Sequence, residues 1–322
     1  VIGAGWPTRR RALSLLLPVL AGAVLACERG NPRNPGRWVR DGDVVLRDTR
    51  PLGAIDSPGL MEGSGVVPSV NTPGLLWALN DSGNDPVLFA LTPAGQVRGL
   101  VAVRDAINRD WEALSAGPCP QGHCLFIADV GDNDAKRDDL RIYYLREPIA
   151  GTASQTVAPD GVIALRFADG PHDVEAIYVA PDASIWLITK RPSRDAGGRQ
   201  RPSRLYRVPA ADWQGSPAVT AVAQVADSIP IVATTGTTRE WITDAHLSGA
   251  DSTGARRLAV LTYGAVYVFA ADATTGRPGA LVARCALPIR ETSAEGLTWL
   301  PDGRLLIMNE GRGAKLYGGR CP

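Results

Sequence analysis

A recurrence constrains this chain more than any single motif. An acidic residue followed by a small-apolar alternation appears as Glu62-Gly63-Ser64-Gly65-Val66-Val67, Glu112-Ala113-Leu114-Ser115, Glu175-Ala176-Ile177-Tyr178-Val179, Asp244-Ala245-His246-Leu247 and Glu295-Gly296-Leu297-Thr298-Trp299. The steps between first residues are 50, 63, 69 and 51. Repeats of this length cannot bury their apolar faces alone, so the copies must pack on one another as a single array.

Each copy is followed by a buried-looking strand, at 75–79, 125–128, 185–189, 258–262 and 305–308. Third strands fit at 87–91, 141–145, 204–208, 265–269 and 314–317, and fourth strands at 96–103, 161–167, 219–226 and 279–287. The fifth copy lacks a fourth strand, which Val44-Val45-Leu46 would supply from the other end of the chain. With 35 Gly, 25 Pro and 2 Met the composition suits short strands and tight turns and excludes a helical bundle. The expected fold is an all-β, five-bladed β-propeller over residues 43–322, whose terminal strands close the ring and so remove its sheet edges. Six blades are an alternative because two steps are long, and a β-sandwich also accommodates such strands.

Before the array, Arg9, Arg10 and Arg11 precede an apolar run over 12–26, the charged and apolar parts of an export signal. We expect residues 1–26 to be a signal peptide. Val24-Leu25-Ala26-Cys27 resembles a bacterial lipobox, which implies lipidation of Cys27, with cleavage by ordinary signal peptidase as the alternative. Residues 27–42 then read as the lipidated cysteine and a flexible tether, placing the protein in the cell envelope, periplasmic or outer-surface. In that oxidising setting the other four cysteines are expected to form the disulfides Cys119–Cys124 and Cys285–Cys321.

In a propeller the innermost strand starts beside the end of the second strand. This gathers Glu62 with Asn80 and Asp81, Glu112 with Asp129 and Asp132, Glu175 with Lys190, Asp244 with Tyr263, and Glu295 with Asn309 and Glu310 at one mouth of the channel; Asp110 and Asp173 thicken the same rim. Two carboxylates ~5 Å apart repel by about 3 kcal/mol at an effective dielectric near 20, so such a ring must protonate, spread or hold a cation. The metal candidates are Glu62, Glu112, Glu175, Asp244 and Glu295, and oxygen donors suit Ca²⁺ better than zinc, since the chain has 3 His. Ligand-binding candidates are Asp81, Asp132, Asn133, Lys190, Arg191, Trp111 and Trp241, the basic ones for an oxyanion and the tryptophans for stacking. Turn chemistry alone also accounts for the Asp- and Asn-rich segments at 80–85 and 129–133.

The blocks Trp77-Ala78-Leu79-Asn80-Asp81-Ser82-Gly83, Asp110-Trp111-Glu112-Ala113-Leu114, Asp129-Val130-Gly131-Asp132-Asn133 and Asp173-Val174-Glu175-Ala176 resemble those of exported bacterial β-propeller lipoproteins of uncharacterised function. More distantly, the strand-initial acids are similar to those of calcium-activated apyrases and phytase-like propellers. That resemblance implies Ca²⁺ and phosphoester hydrolysis, with Glu62, Glu112, Glu175 and Glu295 matching the pattern and Asp244 and Lys190 departing from it.

No G-x-S-x-G elbow, P-loop, dinucleotide fingerprint or Cys and His nucleophile pair occurs. With 34 Lys and Arg against 33 Asp and Glu, no nucleic-acid partner is expected. The functional expectation is a monomeric, calcium-binding propeller taking a small anionic or polar ligand, with Glu112 or Glu175 as catalytic base if it hydrolyses phosphoesters. Alternatives are a glycoside hydrolase using two carboxylates, or a non-catalytic scaffold for a cell-envelope protein.

Overall fold

Apolar runs bounded by Gly, Asp and Asn become strands, because β-branched and aromatic side chains pack on a pleated surface while turn residues end it. The computed structural model describes residues 44–151, 154–215, 220–231, 237–287 and 293–322. The expected signal peptide, Cys27 and the expected tether lie outside the described residues.

Two strands come first, β1 (Val44–Val45) and β2 (Arg47–Ala54). A first antiparallel run follows, β3 (Gly63–Pro68), β4 (Leu76–Asn80), β5 (Val87–Leu91) and β6 (Val97–Val103). The second is β7 (Trp111–Cys119), β8 (Gly122–Asp129), β9 (Arg141–Arg146) and, after the short β10 (Gln155–Val157), β11 (Gly161–Phe167). The third is β12 (Val174–Val179), β13 (Ile185–Thr189), β14 (Arg204–Val208) and β15 (Ala221–Ser228), and the fourth β16 (Ile242–Leu247), β17 (Arg256–Thr262), β18 (Ala265–Ala271) and β19 (Pro278–Ala286). The last is β20 (Ala294–Trp299), β21 (Leu305–Asn309) and β22 (Lys315–Arg320). Among the described residues there is one 3-10 turn, Ala210–Asp212, and no α-helix.

These strands form four sheets, because β11 and β15 pair in parallel and fuse the second and third runs into one sheet of eight. The first strand of each run packs against that of the next, β3 on β7, β7 on β12, β12 on β16 and β16 on β20, and β20 returns to β3. The fold is a β-propeller. Its apolar core is distributed: one cluster joins Trp77 and Leu88 to Leu125, the next Phe126 to Leu187, and others link Trp186 to Val260, Leu261 to Ile307, and Leu306 to Val66. Each sheet thus buries both faces against its neighbours, which is why β4, β13 and β21 are buried at every residue.

The ring closes differently from the expectation. The outer strand beside β22 is β2, antiparallel, from Arg47↔Arg320 to Ala54↔Lys315. Val44 and Val45 pair instead in parallel with Cys285 and Ala286 on β19. The expected segment was a few residues too early in the chain, because β1 is only long enough to extend the preceding sheet. The bridge between Cys285 and Cys321 spans this seam, linking β19 to the residue after β22, and Cys119–Cys124 clamps the β7–β8 hairpin. A second staple is electrostatic: the buried Glu147 carboxylate accepts from Val70 N at 3.0 Å and Trp77 Nε1 at 3.0 Å, and from the Ser69 hydroxyl, fixing the β3–β4 turn onto the second run.

Chain-entropy restriction grows with the loop that a disulfide closes, and the separations are 36 residues for Cys285–Cys321 and 5 for Cys119–Cys124. Replacing Cys285 and Cys321 with Ala should therefore lower stability by about 4 kcal/mol, against about 2 kcal/mol for the Cys119 and Cys124 pair. Urea denaturation of the two double variants measures the order.

Candidate functional site

Every innermost strand carries a β-bulge near its start. Pairing passes from Gly63↔Asn80 to Gly65↔Leu79, from Trp111↔Asp129 to Ala113↔Ala128, from Val174↔Thr189 to Ala176↔Ile188, from Ile242↔Thr262 to Asp244↔Leu261, and from Ala294↔Asn309 to Gly296↔Met308. The skipped residues are Ser64, Glu112, Glu175, Thr243 and Glu295, and all five are buried. A bulge leaves one residue outside the ladder and re-aims its side chain, a device common beside functional sites.

The two hydroxyls tie neighbouring strands together. Ser64 Oγ donates to Glu112 O at 2.7 Å and lies 3.2 Å from Glu112 Oε2, and Thr243 Oγ1 donates to Ala294 O at 2.8 Å. The three carboxylates acquire different surroundings from the residues that end the second strands. Lys190 Nζ donates to Glu175 Oε1 at 2.5 Å, and Tyr263 Oη donates to Glu295 Oε1 at 2.7 Å. Glu112 instead meets acids: single oxygens of Asp81, Asp110 and Glu112 all lie within 4.8 Å of one another. Gly131 backs this trio closely, since a Cβ there would sit 2.4 Å from Asp110 Oδ2 and 2.5 Å from Glu112 Oε1.

The titration of these groups follows from that crowding. Burial, then the charges of Glu175, Asp81 and Asp110, push the Glu112 carboxyl well above the usual range. Burial and the Asp81 charge raise Asp110 to about 6, and burial raises Glu310 to about 7 with help from Glu295. Burial also raises Asp81 and Glu175, the latter against the pull of Lys190. Burial works against the Lys190 ammonium, but the charge and hydrogen bond of Glu175 outweigh it and leave the pKa above its ordinary value.

The remaining sequence candidates take varied places. Glu62 sits two residues ahead of the bulge and its Oε2 accepts from Asn84 Nδ2 at 2.6 Å. Asp244 sits one residue beyond the bulge, fully buried, and its oxygens accept from Ala245 N at 2.7 Å and Leu297 N at 2.6 Å. The bond from Leu297 N joins β16 to β20, and with one oxygen given to each amide Asp244 is not in the acidic trio, unlike the sequence expectation. Trp111 is wholly buried, with Nε1 donating to Ile107 O at 3.0 Å, and offers no face for stacking. Arg191 lies over one face of the half-buried Trp241 ring at 4.9 Å, and Trp241 also lines a recess with Tyr263 and Glu295. Asp132 accepts from Lys136 N at 2.9 Å and Arg137 N at 2.8 Å as a turn former, and Asn133 receives Arg191 through Oδ1 at 2.6 Å and its carbonyl at 3.0 Å.

Sequence reasoning missed Ser64, Thr243, Gly131 and Arg137. The buried Arg137 guanidinium joins Asp129 at 2.9 Å, Asp139 at 3.1 Å and Gly131 O at 2.7 Å, holding the loop behind the trio. Aligning the strand pairs Gly63-Gly65, Ile242-Asp244 and Trp111-Ala113 instead of the acids would have exposed Ser64 and Thr243.

No protein-family model matches this chain, and no curated protein matches it. Solved structures with similar folds include a glucose dehydrogenase at 11% identity and TM-score 0.45, covering 85% of this chain and 99% of that one. The calcium-binding protein regucalcin of Agrobacterium tumefaciens matches at 16% identity and TM-score 0.44, over 86% of this chain and 95% of that one. The PQQ domain of pyranose dehydrogenase from Coprinopsis cinerea matches at 11% identity and TM-score 0.43, over 88% and 98%. Likeness at this level does not carry function.

Two outcomes test the electrostatics. Lys190→Met strands the buried Glu175 carboxylate and should cost about 3–5 kcal/mol in urea denaturation, most of it recovered by adding Glu175→Gln. Asp110 binds its proton more tightly folded than unfolded between its ordinary 3.8 and about 6. In EDTA its contribution to stability is therefore full below that window and lost as pH rises through it, so urea midpoints at pH 4 and 7 should differ less in Asp110→Asn than in the parent.

Proposed function

We propose that this chain is an exported, lipid-anchored, five-bladed propeller that binds Ca²⁺ at its mouth through Asp81, Asp110 and Glu112 and, through that ion, a small phosphorylated ligand. The observation that carries the reading is the trio itself: three carboxylates from two chain segments far apart in sequence, partly desolvated, with oxygens within 4.8 Å of one another. Oxygen donors with no nearby thiolate suit a hard cation, and 4.8 Å is about the spread of oxygens around a Ca²⁺ bound at 2.3–2.6 Å. The blade number rests on the closed succession of β3, β7, β12, β16 and β20, with β2 completing the last run. Export and Cys27 lipidation rest on the leader and lipobox pattern alone.

The charge of Lys190 acts on Asp81 and Glu112, and Arg191, next to it in sequence, would supply the positive charge that a phosphate needs once its cation is bound. A hydrolytic version of this reading would use Glu112, which stands in the trio and is pushed above the usual carboxylate range by burial and by its acidic neighbours. There Glu112 would take the proton of a water whose oxygen bonds to phosphorus as the leaving oxygen departs with the broken bond's electron pair, and an ion held by the trio would supply charge stabilisation. Glu175, tied to Lys190, would hold that ammonium in place.

Calcium at a hundredfold excess over its dissociation constant should stabilise the fold by about 3 kcal/mol, reversibly with EDTA. Calorimetric melting of the parent and of Asp81→Asn plus Asp110→Asn reads this out, and an equal calcium response in both would reject the site. Calcium-dependent release of phosphate that Glu112→Gln abolishes would establish the hydrolase, and retained release would remove Glu112 from that role.

A further inference from the structure

At the opposite end of the inner strands from the acidic mouth, where β3, β16 and β20 finish, lies a recess of about 550 Å³ lined by Pro68, His246, Arg257, Trp299, Leu300 and Pro301, among others. That volume falls within the roughly 300–1,000 Å³ of typical small-molecule sites. The wall is mainly apolar, and its two charged side chains, Asp251 and Arg257, have opposite signs. Hydrogen bonds from Thr253, joined by the Arg257 charge, hold the Asp251 pKa down, so both groups are ionised at neutral pH and the wall carries no net charge. A charged ligand therefore gains no net attraction there.

The polar group at the floor is His246. Burial lowers its pKa to about 4, yet the residue keeps accessible surface, and a side chain is both deep and accessible only where it lines a recess. Its Nδ1 accepts from Trp299 N at 3.3 Å. A backbone amide can only donate, so Nδ1 is unprotonated and the proton of the neutral ring sits on Nε2. Among the described residues Nε2 has no hydrogen-bond partner, and it is not one of the polar atoms sealed from solvent. The neighbouring Ser248 hydroxyl is committed elsewhere, donating to Gly249 O at 2.8 Å and accepting from Arg257 N at 2.9 Å. The floor thus presents one oriented donor, and a ligand that covers it must bring an acceptor. A carbonyl oxygen supplies that acceptor without adding a donor, which the side chains of Trp299, Leu300 and Pro301 could not satisfy. The same flat, rigid side chains suit a ring better than a flexible chain.

We infer that this recess binds an uncharged ring compound carrying a carbonyl, the ring against Trp299, Leu300 and Pro301 and the carbonyl oxygen accepting from His246 Nε2. The site stands apart from the cation reading, about 20 Å away along six-residue strands.

Ligand-observed NMR titration of the full chain with 1-indanone and indane, which share a fused ring and differ at the carbonyl, tests the assignment. His246→Asn keeps a side-chain oxygen for Trp299 N but withdraws the Nε2 donor. It should weaken 1-indanone at least fivefold and leave indane within twofold. Ala250→Trp, at an exposed position in the lining, should weaken both at least fivefold by filling the recess. Nitrogen NMR of the parent imidazoles, which needs no variant, should show His246 protonated on Nε2, with that proton shifting on addition of 1-indanone and not of indane. Equal losses of the two compounds in His246→Asn, a ring protonated on Nδ1, binding that survives Ala250→Trp, or no binding of either compound overturns the inference.

Discussion

The structure depends on inner strands buried on both faces. In such a strand a polar side chain has no solvent side to turn to, so the residue that each bulge expels from the ladder must find its partners at the axis. Ser64 and Thr243 find them in the carbonyls of the next strand, Glu175 in Lys190 and Glu295 in Tyr263. Glu112 is left facing Asp81 and Asp110, and burial first, then these mutual charges, raise the pKa of Glu112 and Asp110.

A near-symmetric scaffold therefore carries an asymmetric mouth. The ring of strands repeats, but the sequence of bulge residues, Ser, Glu, Glu, Thr and Glu, does not. Hydroxyls serve where two strands need only a cross-link. Acids stand where charge is balanced by an ammonium, softened by a phenol, or left open to an ion from solution. Close packing keeps these differences in place: a Cβ on Gly65 would lie 2.5 Å from Leu114 N, so the first and second inner strands approach too closely for a side chain to intervene.

The strand order and both disulfide pairings were legible in the sequence, because a repeating period and an even set of cysteines survive without knowledge of contacts. The register of the mouth was only partly so. Following the acids led to Glu112, Glu175 and Glu295, which occupy bulges, but also to Glu62 and Asp244, which stand two residues before and one residue after theirs. A bulge is a property of pairing between strands, and nothing in a single strand announces which residue will be skipped. For the same reason the sequence suggested Trp111 as a stacking surface: its position beside Glu112 is visible, while its burial against Tyr143, at 6.2 Å between ring centres, depends on the neighbouring β9 strand.

Charge counting at the mouth explains why a lysine stands where another acid would complete the pattern. A divalent ion among Asp81, Asp110 and Glu112 leaves that trio with at most one net negative charge, and protonation of one member removes it. A free carboxylate at Glu175 would add another and repel any anion approaching the ion. Lys190 cancels it in place, at 2.5 Å, and is thereby spent. The charge left to meet a phosphate, on the reading proposed above, would be that of Arg191, which donates to the neutral oxygens of Asn133, stands 3.7 Å from Asp173 and is braced on Trp241. The rigid pose matters as much as the charge, since a guanidinium fixed on a ring loses less freedom on binding than a mobile one. The two adjacent basic side chains are thus held differently, Lys190 neutralising Glu175 directly and Arg191 fixed between Asn133, Asp173 and Trp241.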